Sequence, residues 1–593
     1  MGFRKMGFQM AAGMAIFCGT PVLGEVAVDF TVDLGRSVRP ISPLIYGNNF
    51  GDLTADDGVT FFRSGGNRLT GYNWENNASH AGLDWEHSND NHMGGGNVPG
   101  KAITDFHDAN LTSGARSIIT LPAAGYVSKD KKGAVSQAET APSPRWAKVV
   151  HEKGAPFPAA PDTTDNNVYT DEFVDMLVKK YGAATGERGI KHYSVDNEPG
   201  LWSHTHPRIH PDTTGAAELV EKTVAVAKAV KKIDPMGEVF GGVFYGYAAY
   251  QSLQNAPDWE SLNAGNKYAW YLEYFLDEMK KASDLAGKRL LDVLDIHWYP
   301  ESTGDLRIIE VGATSPKDNA ARVQAPRSFW DSTYAENSWI SKWATPKQPV
   351  TNWDDPTPGP INLLPRVFAS IAKYNPGTKL AITEYNYGAA DQITGGLAQA
   401  DFLGVLGASG VYAANFWQLN LKPTYVASAF RLFRNYDGRK AAFGSLSAWA
   451  SASDRENAGI YAAYDPGGTK VHIVVVNRNP TESVRGTFNV TSPAPLTGGK
   501  VFGFDASGTA VSEKTAIASI TGNVFTYVLA PYSASHFVLQ TSGALPISQA
   551  RRALLSPAEV KAAGGTLYLP DGKKVSEAEG RRMPVPALPR FMD

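Results

Sequence analysis

Short apolar runs alternate with longer amphipathic stretches between Ile45 and Trp417, and most of the runs end in polar or aromatic residues. This alternation is typical of strands that are each followed by a helix. Apolar residues recur at helical spacing before Gly182 and before Asp234, which predicts two helices with an inward stripe. The runs predict eight strands, the number that closes a (β/α)8 TIM barrel, over residues 44–46, 61–63, 117–121, 192–195, 239–242, 293–297, 380–383 and 412–417.

After residue 443 the pattern changes to period-two alternation with turn signals, which predicts an accessory β-sandwich. Residues 26–32 alternate in the same way, so we expect them to pair into that sandwich from the other end of the chain. The predicted fold class is therefore α/β, with a sandwich formed from both chain ends. The predicted segments are a signal peptide (1–24), N-terminal sandwich strands (25–42), the barrel (43–441), the sandwich (442–540) and a basic, Pro-containing tail of unknown role (541–593).

The first 24 residues have the pattern of a secretory leader rather than a buried first helix. Arg4 and Lys5 precede an apolar run to Cys18, and compact residues follow up to Gly24. We therefore expect a secreted or periplasmic protein. Cys18 is the only cysteine, so a processed chain would carry no disulfide. No later apolar run is long enough to cross a bilayer, which excludes a membrane partner.

The composition and net charge limit the kinds of ligand that the chain can bind. Of 593 residues 43% are apolar and 19% charged, which excludes a disordered chain. The formal net charge is −3, which gives no field to attract polyanions, so nucleic acid is excluded as a partner. We expect a monomer that binds an uncharged molecule.

Two glutamates end predicted strands, and the carboxyl ends of barrel strands carry the catalytic groups. Glu198 follows the fourth strand and Glu384 the seventh, so they face one another across the barrel mouth. Such a pair is what glycosidic bond cleavage requires: one carboxyl protonates the leaving oxygen, and the other attacks the anomeric carbon or activates water.

Several motifs around these strand ends resemble those of glycoside hydrolase family 44, over about residues 25 to 540. The segment Val195-Asp196-Asn197-Glu198-Pro199-Gly200-Leu201-Trp202 carries the most specific likeness, followed by Ile41-Ser42-Pro43-Leu44-Ile45-Tyr46-Gly47, Arg63-Ser64-Gly65-Gly66-Asn67-Arg68, Tyr72-Asn73-Trp74-Glu75-Asn76-Asn77, Arg327-Ser328-Phe329-Trp330-Asp331 and Ile382-Thr383-Glu384-Tyr385-Asn386. The resemblance implies a retaining endo-β-1,4-glucanase or xyloglucanase that hydrolyses plant cell-wall β-glucans. It also implies that Glu198 is the acid/base and Glu384 the nucleophile.

Two polar residues beside the pair are candidate substrate-binding residues. Asn197 could reach the sugar 2-hydroxyl, although an Asn there is also common in a structural turn. Arg63 ends the second strand and could keep Glu384 ionised, although a salt bridge elsewhere is the alternative.

Aromatic and histidine side chains complete the candidate substrate site. Trp417 ends the eighth strand, where an indole could stack under a sugar ring. His206 and His210 would shape the loop after Glu198, with His206 touching substrate; zinc bound by this histidine-rich loop is the alternative. Other aromatic residues at strand ends either line the cleft or pack in the core: Tyr46, Trp74, Trp202, Trp298 and Tyr385.

Three further functions remain open on the residues alone. A xylanase or mannanase could use the same scaffold, because two glutamates and a groove do not define the sugar. A polysaccharide-binding protein without activity, or a metal-dependent hydrolase using the histidine loop, would also fit parts of the pattern. We expect no cofactor to be required, while a structural Ca²⁺ is compatible with the acidic loops.

Overall fold

The computed structural model describes residues 24–344 and 357–545, which contain a closed barrel of eight parallel strands. The TIM-barrel prediction is confirmed. Residues 1–23 of the predicted leader and 546–593 of the predicted tail lie outside the described residues. In barrel order the strands are Gly47–Asn48, Phe61–Ser64, Arg116–Leu121, His192–Val195, Glu238–Phe244, Val293–Trp298, Lys379–Tyr385 and Ala413–Phe416.

The first strand begins later than the sequence predicted, so that prediction was wrong. Pro43–Ile45 form a 3-10 turn, and the strand follows as Gly47–Asn48. The turn is favoured because the Ser42 hydroxyl accepts a hydrogen bond from the Leu44 amide at 3.2 Å, and because the proline that opens the turn has its φ already fixed.

The barrel interior has an apolar base and a polar upper part. Phe61, Val293, Ala381 and Ala413 belong to one buried cluster at the base, with side chains from neighbouring strands. Because strand side chains alternate between the two faces, the next inward positions come two residues later. These positions are occupied by the buried residues Arg63, Asp295, Thr383 and Asn415.

Helices surround the barrel, and both helices predicted from apolar spacing are confirmed, as Thr170–Tyr181 and Ala216–Ile233. Their buried faces carry the apolar stripe, and most charged residues lie outside it. The buried charged residues are Asp171, Glu172 and Lys231. The remaining α-helices are Asn67–Thr70, Lys101–Ser113, Trp202–Thr205, Tyr247–Ser252, Trp259–Leu262, Tyr271–Ala286, Pro316–Gln324, Leu363–Tyr374, Ile393–Ser409 and Thr424–Arg434.

Two small sheets are built from the long segments that follow the second and third barrel strands. One contains Ser79–His80, Ser88–Asp90 and Gly133–Ala134, and the other Tyr126–Ser128, Trp146–Val150 and Asn167–Tyr169.

The accessory β-domain is a ten-stranded sheet that folds over on itself, which confirms the sandwich and its two-ended origin. Glu25–Asp33 pairs antiparallel with Leu446–Ala452 and parallel with Ser483–Thr491. Phe488 packs on Phe537, from a strand that is not its neighbour in the sheet, at a ring distance of 4.9 Å. The other strands are Arg39–Pro40, Ala458–Tyr464, Lys470–Asn477, Leu496–Asp505, Gly508–Glu513, Val524–Leu529 and Ser533–Thr541.

A buried ion pair connects the two domains. Asp401, on the barrel helix Ile393–Ser409, accepts two hydrogen bonds at 2.8 Å from one amino group of Arg478 in the sandwich. The Tyr461 hydroxyl donates a third to the same carboxylate, also at 2.8 Å. In residues 24–344 and 357–545 no helix is long and apolar enough to cross a membrane.

Candidate active site

Glu198 stands on a sharply turned segment at the end of the fourth barrel strand. Asp196 and Glu198 both have left-handed backbone conformations, with φ of 55° and 43°, and Pro199 starts the turn that follows. The Asp196 carboxylate pins this segment: it accepts hydrogen bonds from the Asn197 amide at 2.7 Å and the Thr70 hydroxyl at 2.6 Å. The strained turn thus holds the Glu198 side chain at the mouth of the barrel.

Glu384 lies opposite, at the end of the seventh strand, and is 5% exposed. Its Oε1 accepts a hydrogen bond from Arg63 Nη1 at 2.7 Å. Its Oε2 accepts a hydrogen bond from the Tyr299 hydroxyl at 2.8 Å. Both oxygens therefore face a donor, which stabilises the negative charge of this carboxylate.

The two carboxylates are close to one another. One oxygen of Glu198, one oxygen of Glu384 and one ring nitrogen of His297 all lie within 4.8 Å of each other. His297 Nδ1 is 2.9 Å from Glu198 Oε1 and 3.6 Å from Glu384 Oε2. An inverting glycosidase needs about 6.5–9.5 Å between its carboxyl groups to admit a water molecule, and the approach of these two oxygens is shorter than that.

The environments of the two glutamates differ. Burial raises the pKa of Glu198 to about 7, Arg63 opposes that shift, and the carboxylate of Asp84 adds to it. A carboxyl with such a pKa holds a proton near neutral pH, as a general acid must. Glu384 differs in having two donors, Arg63 and Tyr299, at hydrogen-bond distance, which compensate negative charge at this carboxylate.

Arg63 links the residues around the pair. Besides Glu384, its guanidinium donates to the Asn49 side-chain oxygen at 3.0 Å and to the Asn197 side-chain oxygen at 2.8 Å. The structure therefore brings Arg63 and Asn197 to the site, as the sequence indicated. Because the Asn197 side-chain oxygen accepts from Arg63, the side-chain NH₂ of Asn197 is the group that can donate to a ligand. This nitrogen, Nδ2, lies 3.4 Å from the Asn67 side-chain oxygen.

Comparisons with known proteins agree with this geometry. The family model "Glycoside hydrolase family 44" matches residues 78–302. Endoglucanase A of Paenibacillus lautus is 49% identical over 531 residues, which cover 88% of this chain and 74% of that protein. The chain belongs to glycoside hydrolase family 44.

Two further relatives of this family 44 hydrolase are informative. The structure of a Paenibacillus polymyxa xyloglucanase, solved with xyloglucan, has a TM-score of 0.82 and 46% identity, and covers 87% of this chain and all of that one. A protein named beta-mannanase/endoglucanase A from Caldicellulosiruptor saccharolyticus is 44% identical over 84% of this chain but only 38% of its own length.

Five aromatic side chains of the hydrolase are core residues, so the expectation that they bind substrate is corrected. Trp298 packs edge-on against Phe329, and Tyr385 packs against Phe402, both behind the barrel wall. They lie there because strand side chains alternate, and the residues before them point inward. Exposed fractions of all five are 4% or less: Tyr46, Trp74, Trp202, Trp298 and Tyr385.

Trp202 and His206 of the hydrolase support the Glu198 segment from behind, without facing the cleft. The Trp202 indole donates to the Asn197 carbonyl at 3.1 Å and to the Asp196 carboxylate at 3.2 Å. His206 is fully buried, and its Nε2 lies 2.8 Å from the Asn67 carbonyl oxygen. The prediction that His206 touches substrate is therefore wrong.

The histidine loop does not form a metal centre among the described residues. His210 Nε2 is paired with Glu218 at 2.8 Å, and both ring nitrogens of His206 have partners. Among the described residues, the one group of three His, Cys, Asp or Glu ligand atoms within 4.8 Å of one another is Glu198, His297 and Glu384, which belongs to the candidate active site.

Trp417 is half-buried at the mouth of the barrel, in a position suited to stacking. Phe50 contacts it edge-on at 4.5 Å, and Phe50 itself is 50% exposed. Gly66 lies close to the outer edge of the indole: a Cβ there would come within 2.5 Å of Trp417 Cη2. A residue with a side chain at position 66 would therefore displace the indole.

Sequence reasoning missed His297, Tyr299 and Asn49 as site residues of the hydrolase. The signal was present at the sixth strand, because His297 and Tyr299 share the inward parity of Val293 while Trp298 does not. The aromatic side chain of Trp298 led to its prediction as a site residue, although its position in the strand points outward.

Proposed function

We propose that this chain is a retaining endo-β-1,4-glucanase that hydrolyses xyloglucan and related β-glucans by double displacement. The observation that carries the proposal is the approach of oxygens of Glu198 and Glu384 to within 4.8 Å of each other. It leaves room for a sugar carbon between the two carboxylates but not for an attacking water.

The two steps use the residues as follows. A Glu384 oxygen attacks the anomeric carbon while the bond to the departing sugar oxygen breaks, and that oxygen takes the proton of Glu198. Water then attacks the same carbon, gives one proton to Glu198 and releases Glu384. The pKa of about 7 at Glu198 suits both the donation and the later uptake.

Substitution of each glutamate tests these roles. Glu384→Gln removes the attacking anion, so we expect turnover to fall about ten-thousand-fold while polysaccharide binding persists. Glu198→Gln removes the acid, so aryl glycosides with good leaving groups should still react in the first step and give a burst of phenol. The reducing ends that hydrolysis releases should have the β configuration at first, which NMR can follow. Near-normal turnover by Glu384→Gln, or an initial α-anomer, would refute the mechanism.

Substrate choice is proposed from the relatives. The P. polymyxa xyloglucanase was solved with xyloglucan, and the names of the P. lautus and C. saccharolyticus relatives both include endoglucanase. Mannanase activity is a second candidate, because the C. saccharolyticus relative carries that name, although this chain covers 38% of it. Initial rates on xyloglucan, carboxymethyl cellulose, glucomannan and xylan separate these specificities.

We propose that the chemistry needs no metal, and that a structural calcium ion lies at Glu75. This carboxylate is 4% exposed, and its Oε1 has no hydrogen-bond partner among the described residues. Burial and the carboxylates of Asp165 and Glu172 raise its pKa to about 8, which a cation would relieve. Chelation should then lower the melting temperature and leave the rate at 25 °C unchanged; loss of activity from the folded protein would refute this.

We also propose that the chain is secreted, which the leader pattern of residues 1–24 supports, and that it is a monomer. N-terminal sequencing of protein from culture medium, with light scattering on the purified chain, tests both.

A further inference from the structure

A continuous line of side chains runs from Glu198 into the barrel interior. His297 Nδ1 lies 2.9 Å from Glu198 Oε1, and His297 Nε2 lies 3.2 Å from the Thr383 hydroxyl. That hydroxyl lies 2.8 Å from Asp295 Oδ2, and the Thr383 amide donates to Asp295 Oδ1 at 3.3 Å. The three residues behind Glu198 are fully buried.

With Asp295 ionised, the number of protons fixes the direction of these hydrogen bonds. The Thr383 hydroxyl has one proton, and an ionised Asp295 can only accept it. The hydroxyl oxygen must then accept from His297, so the proton of the neutral imidazole is on Nε2. Nδ1 is left with a lone pair that faces Glu198, and only a protonated carboxyl can donate to it.

We propose that Asp295 and Thr383 are positioning residues which fix the Nε2–H tautomer of His297 and thereby hold the catalytic proton on Glu198. This inference rests on the proposed acid/base role of Glu198. It assigns a function to two side chains that lie too deep in the barrel to touch a sugar.

The arrangement serves both half-reactions. Before the first step, the bond from the Glu198 carboxyl to His297 Nδ1 keeps the proton in place for the leaving oxygen. After the transfer, the new carboxylate faces a lone pair in place of a donor, which makes it a stronger base toward the incoming water. Burial lowers the pKa of His297 to about 3, so the ring stays neutral in both steps.

Burial raises the pKa of Asp295 to about 7, and the Glu384 carboxylate contributes to this shift, whereas Arg63 and the hydrogen bonds from Thr383 oppose it. The proposal assigns the proton shared along this line to Glu198 and leaves Asp295 ionised; a protonated Asp295 would reverse every hydrogen bond in the line. The remaining groups that act on Glu198 or Asp295 are Asp84, Tyr245, Tyr250 and Tyr299.

Asp295→Asn tests the proposal because it reverses every bond in the line at nearly constant shape. The Thr383 amide keeps the Asn oxygen as its acceptor, so the Asn NH₂ donates to the hydroxyl, which then donates to His297 Nε2. His297 Nδ1–H now donates to Glu198 and favours its anion. The pKa of about 7 at Glu198 predicts a basic limb of the kcat/KM profile near pH 7 in the parent enzyme. We expect Asp295→Asn to move this limb down by about one pH unit.

Thr383 supplies a matched pair that decides the question even if Asp295→Asn fails to fold. Thr383→Ser keeps the hydroxyl and should keep the parent profile, whereas Thr383→Val of similar volume should move the basic limb to lower pH. Equal profiles for the Ser and Val variants, or an unmoved limb in folded Asp295→Asn, would overturn the proposal.

Glu198→Gln separates this result from a failure of the proposed function. If that variant hydrolyses xyloglucan at the parent rate with the parent basic limb, Glu198 is not the acid and the proposed function fails. If it loses polysaccharide turnover as expected and the Asp295 and Thr383 variants leave the limb unmoved, only the inference about the tautomer fails.

Discussion

Removal of the Asp401 carboxylate should strongly destabilise the contact between the barrel and the sandwich. Asp401 is fully buried and Arg478 is 1% exposed, so neither side chain can replace its partner with water. Gly459 also packs directly on this pair: a Cβ there would lie 2.4 Å from Asp401 Oδ1. Asp401→Ala therefore leaves a guanidinium charge buried between two domains with no partner carboxylate.

The expected loss follows from the burial of the pair. Breaking a buried ion pair on one side costs about 3–5 kcal/mol, because the remaining charge keeps its desolvation penalty. The Tyr461 hydroxyl also loses its acceptor, at about 1 kcal/mol or more. We therefore expect Asp401→Ala to lower the free energy of unfolding of the first transition in urea by about 4–6 kcal/mol.

Two controls interpret that measurement. Asp284→Ala removes an exposed ion pair with Lys280, whose side chains are 64% and 38% exposed, and should change stability by less than about 1 kcal/mol. Asp401→Leu combined with Arg478→Met removes both charges and should recover most of the loss. If Asp401→Ala costs no more than the exposed control, the pair is not dry and the argument from burial is wrong.

Three other outcomes follow from the site and the sandwich. Trp417→Ala should raise KM on xyloglucan about tenfold with kcat little changed, because a stacking surface is lost, as initial rates would show. Arg63→Met leaves Glu384 buried with one donor fewer, so steady-state kinetics should show kcat reduced about 100-fold. Burial lowers the pKa of His472 to about 3 in the folded protein, whereas a histidine of the unfolded chain has a pKa of about 6.5. As the pH falls below about 6.5, the unfolded chain binds a proton that the folded protein does not, so the free energy of unfolding decreases. Melting temperatures between pH 7 and 4.5 should therefore fall less steeply for His472→Leu.

The sequence predicted those site residues that are polar and end a strand. It did not predict correctly the residues whose role depends on whether the side chain points into the barrel or away from it. Glu198, Glu384 and Arg63 could be found because each is a polar residue that closes an apolar run. Trp298 and Tyr385 stand at similar ends, but they occupy outward positions and pack against helices. A bulge between Ile296 and His297 in the pairing of the sixth and seventh strands also shifts the register there, which periodicity alone does not reveal.

The division of labour between two chemically identical side chains arises from what each strand end places beside them. Glu384 meets the donors Arg63 and Tyr299, so its charge is compensated before substrate arrives. Glu198 meets the ring nitrogen of His297 and little water, so its neutral form is favoured. For the two glutamates to exchange roles, the donors Arg63 and Tyr299 would have to lie beside Glu198 instead of Glu384. The proposed assignment of acid and nucleophile therefore depends on strands two and six as much as on strands four and seven, which carry the carboxylates.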